Sequence, residues 1–277
     1  MCTETLCSEE NYGSLPPMVT QEPTISSWRM LDLSYNSAFM NLALEESLAR
    51  VSLSGEVVPT VRFWTNPRAV VIGRFQDVSA EVDLAQCDLS EVEVARRFTG
   101  GGSVFHDEGT LNFTVVTQRS ERSSVSQFQE VNSRLVLDAL GSMGISCSFR
   151  PPNSLLVHGR KVSGAAAALG RNFALWHCSI LVDADTPLLE AVLVPSKTSM
   201  ATRFVRSNWQ PVTTLSTELS RSVTIEDVKL RIISSIERQF SVKLEDGKLS
   251  TKEEEQSKDL LIHKYSLREW NIYGHQP

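Results

Sequence analysis

Apolar positions recur along this chain in two periods. Met40, Leu44, Leu48 and Val51 fall at helical spacing, which predicts an amphipathic helix over Ala38–Val51. Two strand-like runs follow, Thr60–Trp64 and residues 69–75, with Asn66-Pro67 between them as a turn. Val92 and Val94 alternate with charged neighbours, so residues 91–98 form a strand. A glycine triplet then leads to another strand at 111–117. Phe128, Val131, Leu135, Ala139 and Met143 make one stripe on a long helix over 124–143. Strands dominate 145–182, with Gly170-Arg171-Asn172 as a hairpin turn. Residues 224–240 form a helix with Thr224 as N-cap and Asp227 at its third position, and 250–265 form a last, charged helix. Residues 195–220 are rich in Ser, Thr and Arg, the pattern of a mobile loop. Most strands follow one another through turns rather than through helices. The expected fold is therefore α/β of the α+β kind: a mixed, largely antiparallel sheet with packed helices, not a doubly wound dinucleotide fold.

Composition narrows the class. A chain of 277 residues, 41% of them hydrophobic, is long enough for one large core. Residues 1–25 are polar, hold Pro16, Pro17 and Pro23, and show no periodicity, so they are expected to be a flexible tail ahead of one domain over 26–277. The formal charge of -6 argues against nucleic acid as the main partner, although net charge says nothing of a local basic pocket. Five cysteines at irregular spacing, without a CxxC pair, are neither a disulfide framework nor a zinc site; no protein-borne metal is expected. They fit reduced thiols in a cytoplasmic protein. No apolar run is long enough for a membrane helix. Glu4, Glu9 and Glu10, with no arginine before Arg29, do not make a signal or transit peptide.

Two runs carry candidate chemistry. In residues 96–107, Arg-Arg-Phe-Thr-Gly-Gly-Gly-Ser-Val-Phe-His-Asp, the glycines Gly100, Gly101 and Gly102 let a ligand approach the backbone, and their N–H groups can form an anion-binding nest. Arg97 offers a planar, permanently charged fork for a carboxylate or phosphate. A glycine-rich turn with surface arginines explains the same residues. No Gly-Lys-Ser/Thr follows, so this is not a Walker A loop. In residues 153–166, Lys161 opens a strand of small residues and can point its ammonium into a cleft, where it suits charge developing on an α-phosphate or acyl oxygen. A hairpin with exposed Arg160 and Lys161 is the plain alternative. His177 stands in an apolar strand, where a hydrogen-bonded core histidine is equally consistent.

Together these runs resemble the lipoate–protein ligase family of the biotin/lipoate ligase superfamily. The match also includes Phe39-Met40-Asn41-Leu42-Ala43-Leu44-Glu45-Glu46, Leu111-Asn112-Phe113 and His177-Cys178-Ser179-Ile180-Leu181. The resemblance implies a fold related to class II aminoacyl-tRNA synthetases and biotin ligases. It implies that lipoate is activated by ATP, with Mg²⁺, to lipoyl-AMP, and that the lipoyl group passes to a lysine of a lipoyl carrier domain. Lys161 would meet the carboxylate and then the acyl-phosphate bridge. Arg97 and Gly100–Gly102 would line the acid and phosphate end. Val104, Phe105 and His106 would lie along the dithiolane or nucleotide channel, Asn153 near the phosphates, and Ala165, Ala166 and His177 close to the intermediate. Two departures stand out. Ser154 replaces the acidic residue usual after the asparagine. The chain also stops near Trp270 without the family's small accessory domain, as in the large subunit of split ligases, which implies a separate accessory subunit docking near Trp270. Two other readings stay open: an octanoyl or lipoyl transferase working through a thioester on Cys147 or Cys178, and a subunit that only binds lipoate or its adenylate.

Overall fold

The computed structural model describes residues 26–51, 58–119, 124–194 and 204–275. The expected tail over 1–25, and residues 195–203 of the expected mobile loop, lie outside them.

Eleven strands are described, β1 (Ser26–Asp32), β2 (Thr60–Trp64), β3 (Ala69–Ile72), β4 (Glu93–Arg96), β5 (Val104–His106), β6 (Thr110–Gln118), β7 (Ser148–Arg150), β8 (Ser154–Val157), β9 (Arg160–Leu169), β10 (Phe173–Leu181) and β11 (Val242–Asp246). Eight of them form one sheet in the order β11-β1-β2-β6-β10-β9-β8-β7, and β4-β3-β5 form a second. In the larger sheet only β1 runs parallel to its neighbours, β11 and β2; every other pair is antiparallel. The mixed, largely antiparallel sheet with packed helices is therefore the observed fold. The turn at Asn66-Pro67 does not make a hairpin. It carries the chain from β2 in the larger sheet to β3 at the centre of the smaller one.

The helices are α1 (Ala38–Val51), α2 (Leu84–Leu89), α3 (Val125–Ser142), α4 (Thr186–Val192), α5 (Leu215–Leu219), α6 (Ile225–Phe240), α7 (Thr251–Leu260) and α8 (Arg268–Asn271). Ser124 and Thr224 close capping boxes at the starts of α3 and α6, each satisfying backbone N–H groups that the helix leaves free. These two helices cover one face of the larger sheet. Leu135, Val136, Ala139, Val228, Ile232 and Ile236 pack there against Val61, Phe113, Trp176 and Ile180. The stripe on α3 is offset from the expected one, since Val131 is exposed while Asn132 and Val136 are buried.

α1 corrects the sequence more sharply. It is not amphipathic, because residues 41–49 are all buried. The helix runs between the two sheets and α7, so it has no solvent face. Its two carboxylates are paired instead. Glu46 takes Lys264 Nζ at 2.7 Å and Tyr265 Oη at 2.6 Å. Trp270 packs on its own domain rather than offering a docking edge. It is 1% exposed and donates from Nε1 to the Arg96 carbonyl at 2.7 Å. Among the described residues no helix is long and apolar enough to cross a membrane.

Candidate active site

Register across the larger sheet builds the floor of the site. Residues paired between adjacent strands point to the same face. One row reads Trp64, Asn112, Ser179, Gly164, Ser154 across β2-β6-β10-β9-β8, and the next reads Arg62, Thr114, His177, Ala166. The rows between them, Phe63-Phe113-Cys178-Ala165 and Val61-Val115-Trp176-Ala167, face α3 and α6. The polar rows face α1 and the smaller sheet, and they floor a cavity of about 260 Å³.

Lys161 reaches this floor through a break in the ladder. Leu155 pairs with Ser163 and the next residue, Leu156, pairs with Lys161, so β9 carries one extra residue, Val162, opposite β8. The bulge turns the buried Val162 toward the apolar core and leaves Lys161 on the side of Gly164. The missing side chain of Gly164 makes room for it: a Cβ there would lie 3.0 Å from Lys161 Cε and Nζ. The Lys161 backbone is clamped by the segment after residue 203, donating to the Pro211 carbonyl at 2.7 Å and accepting from Thr213 N–H at 3.0 Å. Its ammonium has no hydrogen-bond or ion-pair partner among the described residues. Burial, and next the charge of Arg97, hold its pKa below the usual lysine range.

The described part of the expected mobile loop is tethered. Ser207 Oγ accepts from Ser103 N–H at 2.8 Å and from Gln76 Nε2 at 3.0 Å. Ser207, Asn208 and Gln210 line the large cavity and also a second one of about 100 Å³. The second cavity takes Phe105, Leu181, Leu189 and Trp209 as its apolar lining. Lys161, Gly164, Ser103, Val104 and Ser179 line both cavities. The two chambers therefore meet at the lysine.

Arg97 lines the large cavity, as do Gly101 and Gly102, but not as an open fork. It is 4% exposed, and it gives its donors to the protein rather than holding them out as a fork. Nη2 donates to the carbonyls of Gly100 and Gly102 at 2.7 Å each, Nη1 to Val71 O at 3.0 Å, and Nε to Thr99 Oγ1 at 3.0 Å. The arginine thus shapes the glycine loop. Gly101 takes φ +91°, and a Cβ on Gly73 would fall 2.1 Å from the Gly101 carbonyl oxygen, so the loop lies against β3 as backbone on backbone. The N–H groups of Gly100, Gly101 and Gly102 donate to nothing among the described residues. Arg96 is buried as well, with its guanidinium spent on the carbonyls of Gly73, Gln76, Trp270 and others. Neither arginine is a surface residue.

The remaining expected residues divide by strand parity. Val104 and His106 line the large cavity while Phe105, between them, lines the small one. Ala166 shares a row with His177. Ala165 also borders the cavity, but its methyl packs on the apolar side. Asn153 donates from Nδ2 to the Ala165 carbonyl at 2.7 Å, and so ties β9 to the cavity edge beside Ser154. His106 is deeply buried, accepts at Nδ1 from Asn66 Nδ2 at 2.9 Å, and is pushed down to about 3, first by burial and then by Arg97, so it is neutral.

Sequence reading missed several lining groups. Glu45 on α1 is fully buried and accepts from Thr114 Oγ1 and from His177 Nδ1, the latter at 2.9 Å; burial opposes its charge, but His177 and Arg62 hold its pKa below the usual value. Trp64, Asn112 and Ser179 were also unassigned. Their signal was present in the chain: polar residues at every second position of apolar strands, as in Leu111-Asn112-Phe113-Thr114-Val115.

Comparison with known proteins now gives this geometry a context. The chain is 31% identical to lipoate-protein ligase A subunit 1 of Thermoplasma acidophilum, over 84% of this chain and 91% of that one. It is 29% identical to the octanoyltransferase LipM of Geobacillus kaustophilus, over 88% and 98%. Among solved structures, a bi-partite lipoate protein ligase of T. acidophilum, described with its E2 lipoyl domain, superposes with a TM-score of 0.80 at 28% identity, covering 91% of this chain and 98% of that one. A lipoate-protein ligase A bound with ATP gives 0.78 at 30% identity, covering 89% and 98%. Residues 37–237 match the family model of the lipoyl protein ligase A/B catalytic domain, and the chain belongs to that family.

Proposed function

We propose that this chain is an ATP-dependent lipoate–protein ligase. The observation that carries the reading is the Lys161 ammonium, partly buried, free of any ion-pair partner among the described residues, and shared by two chambers. An acid in the larger chamber and a nucleotide in the smaller would bring a carboxylate and an α-phosphate together at one cation. A carboxylate oxygen attacks the α-phosphorus, the bond to pyrophosphate breaks, and lipoyl-AMP forms. Lys161 meets the negative charge of both reactants and of the transition state. The glycine-loop N–H groups are the neutral donors nearest in role. The deprotonated amine of a carrier lysine then attacks the acyl carbon, AMP leaves and a proton is released. Holding the two reactants together is most of the catalysis, and no nucleophilic side chain takes part.

Magnesium would enter with ATP. Phosphate oxygens would be among its main ligands, as is usual for Mg²⁺ at nucleotide sites. The partners we assign are a lipoyl carrier domain and a separate accessory subunit, by extension from the bi-partite relative.

The octanoyltransferase relative supports a second reading, acyl transfer through a cysteine thioester. That route needs a ready thiolate. Cys147 lines neither chamber and burial pushes its thiol up to about 11. Cys178 sits 2.9 Å from Ser163 Oγ, and burial pushes it up to about 12. The deciding experiment is exchange of labelled pyrophosphate into ATP. Exchange that depends on lipoate is expected. No exchange, together with a trapped thioester on Cys147 or Cys178, would put the chain among the transferases.

A further inference from the structure

One buried donor in the larger chamber has nothing to donate to. Asn112 is 1% exposed, lines the chamber, and its Nδ2 lacks a hydrogen-bond partner among the described residues. A chain of hydrogen bonds reaches it from Arg62. The Arg62 guanidinium can only donate, and it gives Nη2 to Asn41 Oδ1 at 2.6 Å. Tyr35 N–H donates to the same oxygen at 3.0 Å. Asn41 must then present Nδ2, which donates to Asn66 Oδ1 at 2.8 Å. Asn66 turns its own Nδ2 to His106 Nδ1 at 2.9 Å. This leaves the neutral imidazole with its proton on Nε2, which donates to Ser179 Oγ at 2.7 Å. Ser179 in turn donates to Asn112 Oδ1 at 2.7 Å. Each link as far as the Ser179 hydroxyl follows from the arginine's lack of an acceptor; Ser179 then donates to the Asn112 oxygen, which leaves that amide's NH₂ unmatched.

The position of that NH₂ is set by the sheet. Asn112, Ser179 and Gly164 lie in one row, and Lys161 packs over Gly164. Two strand spacings of about 4.8 Å put Asn112 roughly 10 Å from the lysine's end of the row. An extended eight-carbon acid spans roughly 9 Å from carboxyl carbon to terminal carbon, with C–C bonds near 1.5 Å in a zigzag. Lys161 at the carboxylate and Asn112 at the far end of such an acid are a matched pair.

We infer that the Asn112 amide is the specificity group of this chamber, donating to the dithiolane sulfurs of lipoate and so favouring lipoate over an unadorned alkanoic acid of equal length. The inference rests on the ligase reading only for which acid enters and which end meets Lys161. Sulfur is a weak acceptor. A donor left unmatched in a buried site nonetheless penalises any ligand that offers it nothing. Octanoate brings only a methyl group there. A preference of roughly five- to tenfold is the expected size of one weak, buried hydrogen bond.

The test is calorimetric binding of three acids to the full chain without ATP: lipoate, octanoate and 5-cyclopentylpentanoate, which keeps the ring and lacks the sulfurs. The expected result is lipoate five- to tenfold tighter than the cyclopentyl acid. In Asn112→Leu the two should bind within twofold of each other, with lipoate affinity carrying the change. Equal binding of lipoate and the cyclopentyl acid to the wild-type chain would overturn the inference, and this comparison holds even if the variant does not fold. An equal loss for all three acids in the variant would also overturn it. Preserved sulfur preference without ATP–pyrophosphate exchange would instead defeat the ligase reading and leave this one standing. Binding of none of the acids would defeat both.

Discussion

On one face of the larger sheet Phe63, Phe113 and Trp176 meet α3 and α6, with ring centroids 5.9 and 5.1 Å apart. On the other, the residues beside them in sequence are Arg62, Asn112, Thr114 and His177. Both faces are buried to the same degree. They differ in what burial accomplishes. The apolar face gains stability in proportion to the area removed from water. The polar face must satisfy each donor and acceptor that it buries, and it does so through directed chains from Arg62, Glu45 and Arg97, leaving Asn112 Nδ2 unmatched at the cavity. Burial alone therefore does not separate scaffold from site in this fold, whereas the register does.

The comparison can be broken from either side. Trp176→Ala on the apolar face should cost about 3–5 kcal/mol of stability, by loss of contacts and the cavity left behind. Denaturant unfolding reads this, and the activity per folded molecule should stay near wild type. A stable variant would mean that the apolar face does not hold the sheet. Lys161→Ala does the opposite. Lipoate-dependent pyrophosphate exchange should fall by about two to three orders of magnitude, the usual effect of removing one charge-stabilising group from a transition state. Its melting temperature should not fall, because the ammonium has no ion pair among the described residues and burial already lowers its pKa. Exchange within threefold of wild type would remove Lys161 from the mechanism.

Acid sharpens the contrast. His106 falls from the usual 6.5 to about 3 in the folded chain, so the unfolded chain binds its proton first as the pH drops. The stability this group contributes is complete above pH 6.5 and is lost as pH falls from there toward 3. By about pH 4.5 the loss is roughly 2.7 kcal/mol. His106→Gln keeps an acceptor and a donor but does not titrate, so its stability should fall less over that window in parallel urea titrations. Equal slopes for both proteins would refute a neutral His106. The smallest effects are expected at the thiols. Cys147→Ser and Cys178→Ser should each keep lipoate transfer within about threefold, since the adenylate route uses no thiolate. Loss of transfer in either folded variant would favour the thioester route.

Local structure was legible wherever neighbours in sequence decide it. The bounds of α1 and β2, and the Thr224 cap of α6, follow from spacing and capping chemistry. What escaped depends on distant partners. β1 pairs with β11 across more than two hundred residues, and three-residue β5 exists because β3 accepts it. The spacing of Met40, Leu44, Leu48 and Val51 did not show Glu45 as a buried group, because the burial of α1 on all sides comes from the second sheet and α7. Arg97 was placed at the site by motif, but its role in shaping the glycine loop depends on the carbonyls that occupy it. Lys161 was found by motif, yet its direction depends on one unpaired residue in a ladder.

That unpaired residue has a wider consequence. Were Val162 instead paired in a regular ladder, strict alternation from Gly164 would put Val162 on the chamber side and Lys161 on the side of Ser163 and Leu155. By hydrogen bonding the sheet would improve, and the lysine would turn out of the chamber toward the aliphatic interior. The enzyme keeps its charge in place by tolerating an imperfection that folding alone would mend. Deleting Val162 should therefore leave Lys161 opposite Leu156 on the Gly164 face and cost stability, through the lost core side chain, more than it costs activity.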